Sequence, residues 1–192
     1  MKTKIAASNI PPKKMKEYLI RTIYVEMLGH DAAFARIHAV NATHNRTIAG
    51  KKIAYLCCTL CLPEDSELLF MLIASLQRDL SSSDHKEVVS ALVTICKIVT
   101  PDLIHALSDQ VVAQLRHENE TVRKKVVMVL HRFTRLQPGL VSEYNEHFRK
   151  SLCDPDPSVM GASLNFFYDM LIDENTRAYY KDLTPSFVVI LR

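Results

Sequence analysis

An all-α fold is the class that the amino-acid sequence predicts, and three observations support it. The 192 residues include only 4 Gly and no Trp, whereas a β-rich fold needs many glycine-bearing turns. No segment alternates apolar and polar residues over the length of a strand. Apolar residues instead recur at helical intervals, most clearly in residues 117–133, where one stripe comprises Val122, Val126, Val129, Leu130 and Phe133.

The helices also recur in register, which predicts a repeat. Val88, Val122 and Val159 each follow a polar turn and open an apolar helix, with spacings of 34 and 37 residues, and Ile48 lies 40 residues before Val88. Another apolar helix precedes each of these, so each is the second half of a helix pair. Helix pairs at this period are typical of a HEAT/armadillo-like right-handed α-solenoid, here a fragment of a longer array.

Turn residues set the predicted helix boundaries. Pro11 and Pro12 begin the first helix and Gly29 ends it. Asp31 and Asp84 are predicted N-caps of the second and fifth helices. The predicted helices cover about 11–28, 32–45, 47–62, 64–80, 84–99, 100–115, 117–133, 141–152, 154–171 and 184 onward.

Two of these helices have apolar faces that predict how they pack. The third carries a predicted buried stripe of Ile48, Ile53, Leu56, Cys57 and Leu60. Residues 68–73 of the fourth are apolar nearly all round. That pattern predicts burial on both sides, by neighbouring helices, by further chain or by a partner subunit.

Composition and charge narrow the class of protein. Residues 1–10 are predicted to be a tail or linker, and residues 11–192 one partial solenoid trunk. Residues 1–21 carry six basic side chains against one acidic side chain, so the positive charge is local and nucleic-acid binding by the whole body is not indicated. No apolar run reaches the length of a membrane span, and no secretory signal opens the chain. Five cysteines, an odd number, suit buried thiols in a reducing, cytoplasmic compartment.

Three segments resemble one known family. They are EMLGHDAAFARIHAV (residues 26–40), GKKIAYL (50–56) and EDSELLFMLIASLQRDL (64–80). Their order and spacing resemble the N-terminal trunk of the adaptins, the large subunits of heterotetrameric clathrin-adaptor complexes. KKMKEYLIRTIYVEMLGHDAAF, FRKSLCDPDPSVMGASL and YKDLTPSFVVILR are most similar to the epsilon branch, that of the fourth complex. The resemblance covers roughly residues 13–192.

The resemblance implies a scaffold in vesicle-mediated protein transport. It implies partners: a small sigma subunit, a partner large subunit, a medium subunit and an Arf-family GTPase. It further implies recognition of sorting signals of transmembrane cargo and peripheral contact with anionic membrane at the trans-Golgi network or endosomes. The alternative within the binding class is another HEAT-repeat scaffold, such as a karyopherin or phosphatase-scaffold fragment, which would lack the LGHD and QRDL elements in this order.

Four basic residues near the start of the first helix are candidate membrane contacts: Lys13, Lys14, Lys16 and Arg21. In the alpha-type relative, a basic cluster ahead of the LGHD element binds phosphoinositide headgroups. Lys16 and Tyr18 are in register with that cluster, whereas Met15 and Glu17 depart from it. The alternative is a solvated helix start.

Further basic residues are candidates for facing a partner: Arg46, Lys51, Lys52, Lys124 and Lys125. The alternative for Lys124 and Lys125 is contact with water only. Arg123 is predicted to be structural, because an arginine on the second helix of a HEAT unit commonly pairs with an acidic turn residue of the neighbouring unit.

The sequence shows no pattern of a catalytic or cofactor site. Cys57, Cys58 and Cys61 could suggest a metal site, but no second Cys/His pair lies at matching spacing, so buried apolar thiols are favoured. There is no H-E-x-x-H motif and no glycine-rich phosphate loop. The sequence therefore predicts a protein without cofactors that is not an enzyme, while a helical lipid-modifying or hydrolytic enzyme is the alternative from another class.

Overall fold

The computed structural model describes residue 5, residues 10–172 and residues 177–190. Its helices are α1 (Pro12–Met27), α2 (Arg36–Ala42), α3 (Ile48–Cys61), α4 (Leu68–Leu80), α5 (His85–Ile98), α6 (Pro101–Ala113), α7 (Glu120–Leu136), α8 (Val141–Ser151), α9 (Pro157–Ile172) and α10 (Thr184–Ile190). Short 3₁₀ turns lie at Ala33–Ala35, Gln114–Arg116, Pro138–Leu140 and Ala178–Leu183. Over the described ranges no strand occurs, and the predicted all-α class is confirmed.

Parts of two predictions lie outside the described residues. Of the predicted tail or linker at residues 1–10, only Ile5 and Ile10 are described, and Ile5 is buried. Of the polar connector that the sequence predicts at residues 175–181, only the part from residue 177 onward is described. The predicted continuation of the last helix through residues 191–192 is not described.

Contacts divide the chain into two compact units, residues 1–110 and residues 111–192. In the first unit, α2 packs on α3 and α4 packs on α5, which makes two helix pairs. The pairs also meet like to like, α2 against α4 and α3 against α5, while α1 covers α3. A helix that contacts both its own partner and the equivalent helix of the next pair has the packing of an α-solenoid repeat.

The second unit repeats this pattern around an aromatic core. There α7 packs on α9, and α8 packs on both of them. The rings of Phe148 and Phe166 stack with centroids 3.7 Å apart, and Phe167 meets Phe166 edge to face at 5.1 Å. The five apolar residues of the predicted α7 stripe are all buried, as predicted.

Several predicted helix ends are confirmed by their capping geometry. Gly29 has φ +82°, and the N–H of His30 reaches the Val25 carbonyl at 3.2 Å, which closes α1 as a left-handed C′ glycine does. The Asp84 carboxylate accepts a hydrogen bond from the Lys86 N–H at 2.9 Å and caps α5.

The predicted faces of α4 and α3 have different outcomes. Phe70 and Met71 on α4 are 70% and 49% exposed, because α2 and α5 cover only the opposite half of that helix. The neighbouring helices therefore do not bury this face, and its burial by further chain or by a partner subunit stays a prediction. The predicted buried face of α3 is wrong. On α3, Leu56 and Leu60 are 43% and 44% exposed, although the periodicity assigns them to the core. Other residues of α3 take the buried positions, among them a lysine.

Candidate interaction surfaces

Lys51 is the lysine that α3 buries. Lys51 is only 7% exposed. Its ammonium nitrogen lies 3.0 Å from Asp79 Oδ1 and 2.8 Å from Glu87 Oε1. Asp79 belongs to α4 and Glu87 to α5, so one cation joins three helices of the first unit. A buried ammonium with two carboxylates at this distance is a structural ion pair.

Asp79 is the centre of this cluster and is 1% exposed. Tyr55 donates its hydroxyl proton to Asp79 Oδ2 at 2.7 Å, and Arg78 Nε donates to Asp79 Oδ1 at 3.0 Å. Burial and then the Asp79 carboxylate raise the pKa of Tyr55, so the phenol stays protonated and remains a donor. Arg78 extends the cluster by donating to the Thr43 carbonyl at 3.3 Å.

The cluster corrects one sequence prediction and explains two sequence elements. Lys51 faces the interior of its own chain, so it is not available as a partner-facing basic residue. Lys51 and Tyr55 come from GKKIAYL, and Arg78 and Asp79 come from QRDL. Both elements therefore serve one internal network. The sequence signal that could have revealed it is the tyrosine four residues after Lys51, which places both on one helix face.

Lys52, the next residue, is exposed and borders a groove between α3 and α5. The groove has a volume of about 290 Å³ and Lys97 borders it as well. The side chains between the two lysines include Leu56, Val89 and Val93. This groove was not predicted, because the periodicity of α3 assigned Leu56 to the core.

The basic start of α1 is solvent-facing. Lys13 and Lys14 are exposed and Lys16 is half-buried. Arg21 is also exposed, but its guanidinium pairs with the Glu17 carboxylate one turn away at 2.5 Å. The structure thus leaves three lysines as the basic group and partly neutralises Arg21.

Arg46 lies apart from Lys51 and Lys52, in the turn before α3. It lines a cavity of about 530 Å³ together with His38, His44 and the α1 residues Pro12 and Met15. The structure therefore places Arg46 with the start of α1 rather than with the lysines that follow it in sequence.

Arg123 on α7 pairs with an acidic turn residue of the neighbouring repeat, as predicted. Its Nε and Nη2 donate to the two carboxylate oxygens of Asp154 at 2.8 and 2.9 Å, and its Nη1 donates to the carbonyls of His117 and Glu118. Asp154 lies in the turn between α8 and α9, so the guanidinium clamps two successive polar turns. Hydrogen bonding with Arg123 lowers the pKa of Asp154, and the same bond raises the pKa of Arg123. The predicted structural role of Arg123 is confirmed.

Lys124 and Lys125 follow Arg123 and are half-buried. The ammonium of Lys125 lies 3.8 Å from Met128 Sδ one turn along the helix. Further along α7, His131 contacts α9, where its Nε2 lies 2.9 Å from Asp169 Oδ2.

The clustered cysteines of α3 are packed in the core. Cys57, Cys58 and Cys61 are all buried, as predicted, and the sulfurs of Cys57 and Cys61 are 3.8 Å apart. The hydrogen bond with Cys61 and then burial raise the pKa of Cys57, and burial raises the pKa of Cys58 to about 12. These two thiols stay protonated near neutral pH. Over the described residues no cluster of three or more His, Cys, Asp and Glu side chains suits a metal ion.

No described helix combines the length and the apolarity needed to cross a bilayer. The surfaces that remain for interaction are the basic start of α1, the cavity beside Arg46, the α3–α5 groove and the surface around Lys124 and Lys125. The paired helices define an α-solenoid, and its buried charges join one helix pair to the next.

Comparison with known proteins gives the family. The sequence profile of the adaptin N terminal region matches residues 2–192, so this chain belongs to the adaptin N-terminal family. It is 46% identical over 192 residues to the AP-4 complex subunit epsilon of Arabidopsis thaliana, covering all of this chain and 20% of the relative. It is 40% identical over 192 residues to the AP-4 complex subunit epsilon-1 of Homo sapiens, covering all of this chain and 17% of the relative.

A more distant relative and a structural neighbour belong to another adaptor complex. The chain is 26% identical over 168 residues to the AP-3 complex subunit delta-1 of Bos taurus, covering 88% of this chain and 14% of the relative. It superposes with a TM-score of 0.78 on a chain of a homology model of the full-length AP-3 complex in an intermediate open conformation. The identity there is 23%, with 93% of this chain and 31% of that chain covered, so this likeness shows the fold and confirms the α-solenoid class. The chain spans about a fifth or less of the length of these curated relatives.

Proposed function

We propose that this chain is the N-terminal trunk segment of a large adaptor-complex subunit of the epsilon type, a non-catalytic scaffold in vesicle-mediated protein transport. The observation that supports this most is the identity of 46% with an AP-4 epsilon subunit across the whole chain. The internal use of the GKKIAYL and QRDL elements agrees with a scaffold, because both elements hold helix pairs together instead of lining a cleft for a substrate.

The trunk would assemble with the small sigma, medium and partner large subunits. An Arf-family GTPase would recruit the complex to the trans-Golgi network or endosomes, where it would select transmembrane cargo through sorting signals. Four basic side chains support assembly. Arg46 and Lys52 in the first unit are exposed, and Lys124 and Lys125 in the second unit are half-buried. These cations offer charge complementarity to acidic partner surfaces.

Co-purification tests this function. Full-length protein carrying an affinity tag is expressed in its own cells, and co-purifying proteins are identified by mass spectrometry. Small, medium and second large adaptor subunits in stoichiometric amounts are the expected result. Recovery of importin cargo or of a phosphatase catalytic subunit instead would overturn the adaptor proposal in favour of another HEAT-repeat scaffold.

We further propose that Lys13, Lys14 and Lys16 contact the anionic headgroups of the membrane, with Arg21 contributing less because Glu17 pairs with it. A basic side chain near an anionic leaflet contributes about 1 kcal/mol. Replacing all three lysines by alanine is therefore expected to weaken binding to phosphoinositide-containing vesicles on the order of a hundredfold.

The assembled complex is the sample for this vesicle experiment, with flotation as the readout. A control variant with Arg135, Lys150 and Lys181 replaced by alanine removes the same charge from the second unit, where all three side chains are exposed. Equal binding by the lysine variant and the wild type, or equal loss in the control, would contradict the membrane proposal.

A further inference from the structure

The groove between α3 and α5 lies between two helices that run in the same direction. Lys51, in the first turn of α3, meets Glu87, in the first turn of α5, so the two helix starts are adjacent. The groove therefore has parallel walls, and its lining residues are Lys52, Tyr55, Leu56, Thr59, Val89, Ser90, Val93, Thr94 and Lys97.

Each wall carries one lysine and apolar side chains, with the lysines at opposite ends. Lys52 and Leu56 line the α3 wall, and Val89, Val93 and Lys97 line the α5 wall. Side chains four residues apart on a helix lie on one side, so each set forms a ridge. Leu56 and Val93 are both more than a third exposed, which leaves the apolar surface open to a partner.

The polar groups of the groove are already engaged with their own chain. Thr59 donates its hydroxyl proton to the Leu56 carbonyl at 2.9 Å, Thr94 donates to Ser90 O at 2.8 Å, and Ser90 donates to Lys86 O at 2.7 Å. The Tyr55 hydroxyl points to Asp79. With these protons used internally, the floor presents methyl and methylene groups and favours an apolar occupant.

Charge at the ends of the groove is of one sign. Lys52 lies toward the start of the helices and Lys97 toward their end, and both are exposed. Within the part of the chain that the structure describes, neither forms an ion pair, and the nearby Glu87 is engaged by Lys51. No carboxylate lines the groove. An occupant with acidic ends would therefore be electrostatically complementary.

We propose that the α3–α5 groove docks an acidic amphipathic helix of a partner protein. The partner helix inserts two aliphatic side chains, one turn apart, between the apolar ridges, and it places a carboxylate at each end against Lys52 and Lys97. On α5 the groove runs from Val89 to Lys97, and these eight residues correspond to about 12 Å along the helix axis. The two carboxylates of the partner are therefore about two helical turns apart.

Two other occupants fit less well. A second copy of this face brings lysines against lysines and supplies no carboxylate to the groove. An anionic bilayer is a broad surface, and the apolar floor lies between two ridges that hold such a surface away from it. The inference does not depend on adaptor function, since the groove is a property of the first unit alone.

A peptide-binding experiment tests the proposal. The probe is a fluorescein-labelled, stapled helix of about four turns with two leucines one turn apart and a glutamate near each end. Binding to the 192-residue chain is followed by fluorescence anisotropy. We expect saturable binding that weakens with salt. Lys52→Glu with Lys97→Glu is expected to weaken it roughly tenfold, and Leu56→Ser roughly fivefold.

The controls separate docking from general charge attraction. Lys150→Glu with Lys181→Glu makes the same charge change on exposed residues of the second unit and is expected to leave binding unchanged. A probe with lysines in place of the glutamates is expected to bind at least tenfold more weakly. Thermal unfolding of every variant is measured alongside, and the exposed positions are expected to leave it unchanged.

Several results would overturn the proposal. Equal weakening in the control variant, or equal affinity for the lysine-bearing probe, would show that the groove does not select an acidic helix. Concentration-dependent dimerisation that Leu56→Ser abolishes would make a second copy the occupant. Vesicle binding that Leu56→Ser abolishes, while the peptide does not bind, would make a lipid surface the occupant. If the Leu56→Ser variant fails to fold, binding is measured instead with the Leu56→Ala variant, which is a milder change at the same position.

Discussion

The two units join their helix pairs with different cations in different surroundings. In the first unit, the Lys51 ammonium is buried and lies between carboxylates from α4 and α5. In the second unit, the Arg123 guanidinium is partly exposed and forms a two-pronged pair with Asp154. Both cations lie on the second helix of a pair, yet one acts between helix bodies and the other between turns.

The difference follows from the chemistry of the side chains. An ammonium is a compact charge with three donors, so it fits a narrow space and reaches two carboxylates. A guanidinium is a planar fork that matches one carboxylate and two carbonyls together. A buried charge that loses its partner costs more than a partly hydrated one, so the two pairs are expected to differ in how much their removal destabilises the fold.

Removing Lys51 is expected to have the largest effect. Lys51→Ala leaves the Asp79 carboxylate, 1% exposed, with only the partly exposed Arg78 as a cation, and the free energy of unfolding should fall by about 3 kcal/mol, the low end for a broken buried pair. Urea denaturation followed by circular dichroism measures the loss, and hydrogen exchange shows whether the amides of α3 to α5 lose protection first. The neighbouring Lys52→Ala is the matched control and should change stability by less than about 0.5 kcal/mol. Similar losses in both variants would mean that the buried pairing does not stabilise the first unit.

Removing Arg123 is expected to cost less. Arg123→Ala breaks the charged hydrogen bonds to Asp154 but leaves that carboxylate partly hydrated, so about 2 kcal/mol should be lost. Arg123→Lys should recover only part of this, because an ammonium cannot form the two parallel bonds. Lys124→Ala, one residue along α7, is the control in the same denaturation experiment. Full recovery by lysine would contradict the importance of the fork geometry.

The Arg123–Asp154 pair should also make the second unit sensitive to acid. Arg123 lowers the pKa of Asp154 in the folded state, so the resulting stability is fully present above the ordinary aspartate pKa of about 3.9 and is lost as pH falls through the lower folded value. The difference in unfolding free energy between wild type and Arg123→Ala should therefore shrink as the pH falls below about 4. A pH series of denaturation curves measures it. A difference that stays constant down to about pH 2 would contradict this linkage.

The smallest effect is expected at the surface pair of α1. Arg21 and Glu17 lie one turn apart, and both side chains are more than half exposed. Arg21→Ala should change the unfolding free energy by about 0.5 kcal/mol or less, and added salt should reduce even that. A loss as large as that of Arg123→Ala would show that exposure does not rank these ion pairs.

Much of the fold is local in origin, which is why it could be predicted. Helix ends at Gly29 and Asp84 depend on residues within one turn, and those predictions are confirmed. The α7 stripe is confirmed because its five apolar residues have no polar competitor on the same face. Arg123 could be assigned to the neighbouring repeat because an arginine on the second helix of a HEAT unit commonly pairs with an acidic turn residue of the next unit.

The candidate site was harder to predict than the fold. The periodicity of α3 favoured Leu56 and Leu60 as core residues and left Lys51 for a partner, whereas the structure reverses these assignments. Nothing near Lys51 in sequence provides its carboxylates, which come from α4 and α5. The groove that the exposed Leu56 lines could not be seen without the packing of α3 on α5.

The sequence by itself determined the helices, their caps and their pairing into repeats, because hydrophobic periodicity and capping act over a few residues. Only the tertiary structure decided which face of α3 is buried and where its two lysines point. The physical reason is that burial of an ammonium is favourable only when carboxylates from other helices neutralise it. That condition is met at Lys51 and is not met one residue later, at Lys52.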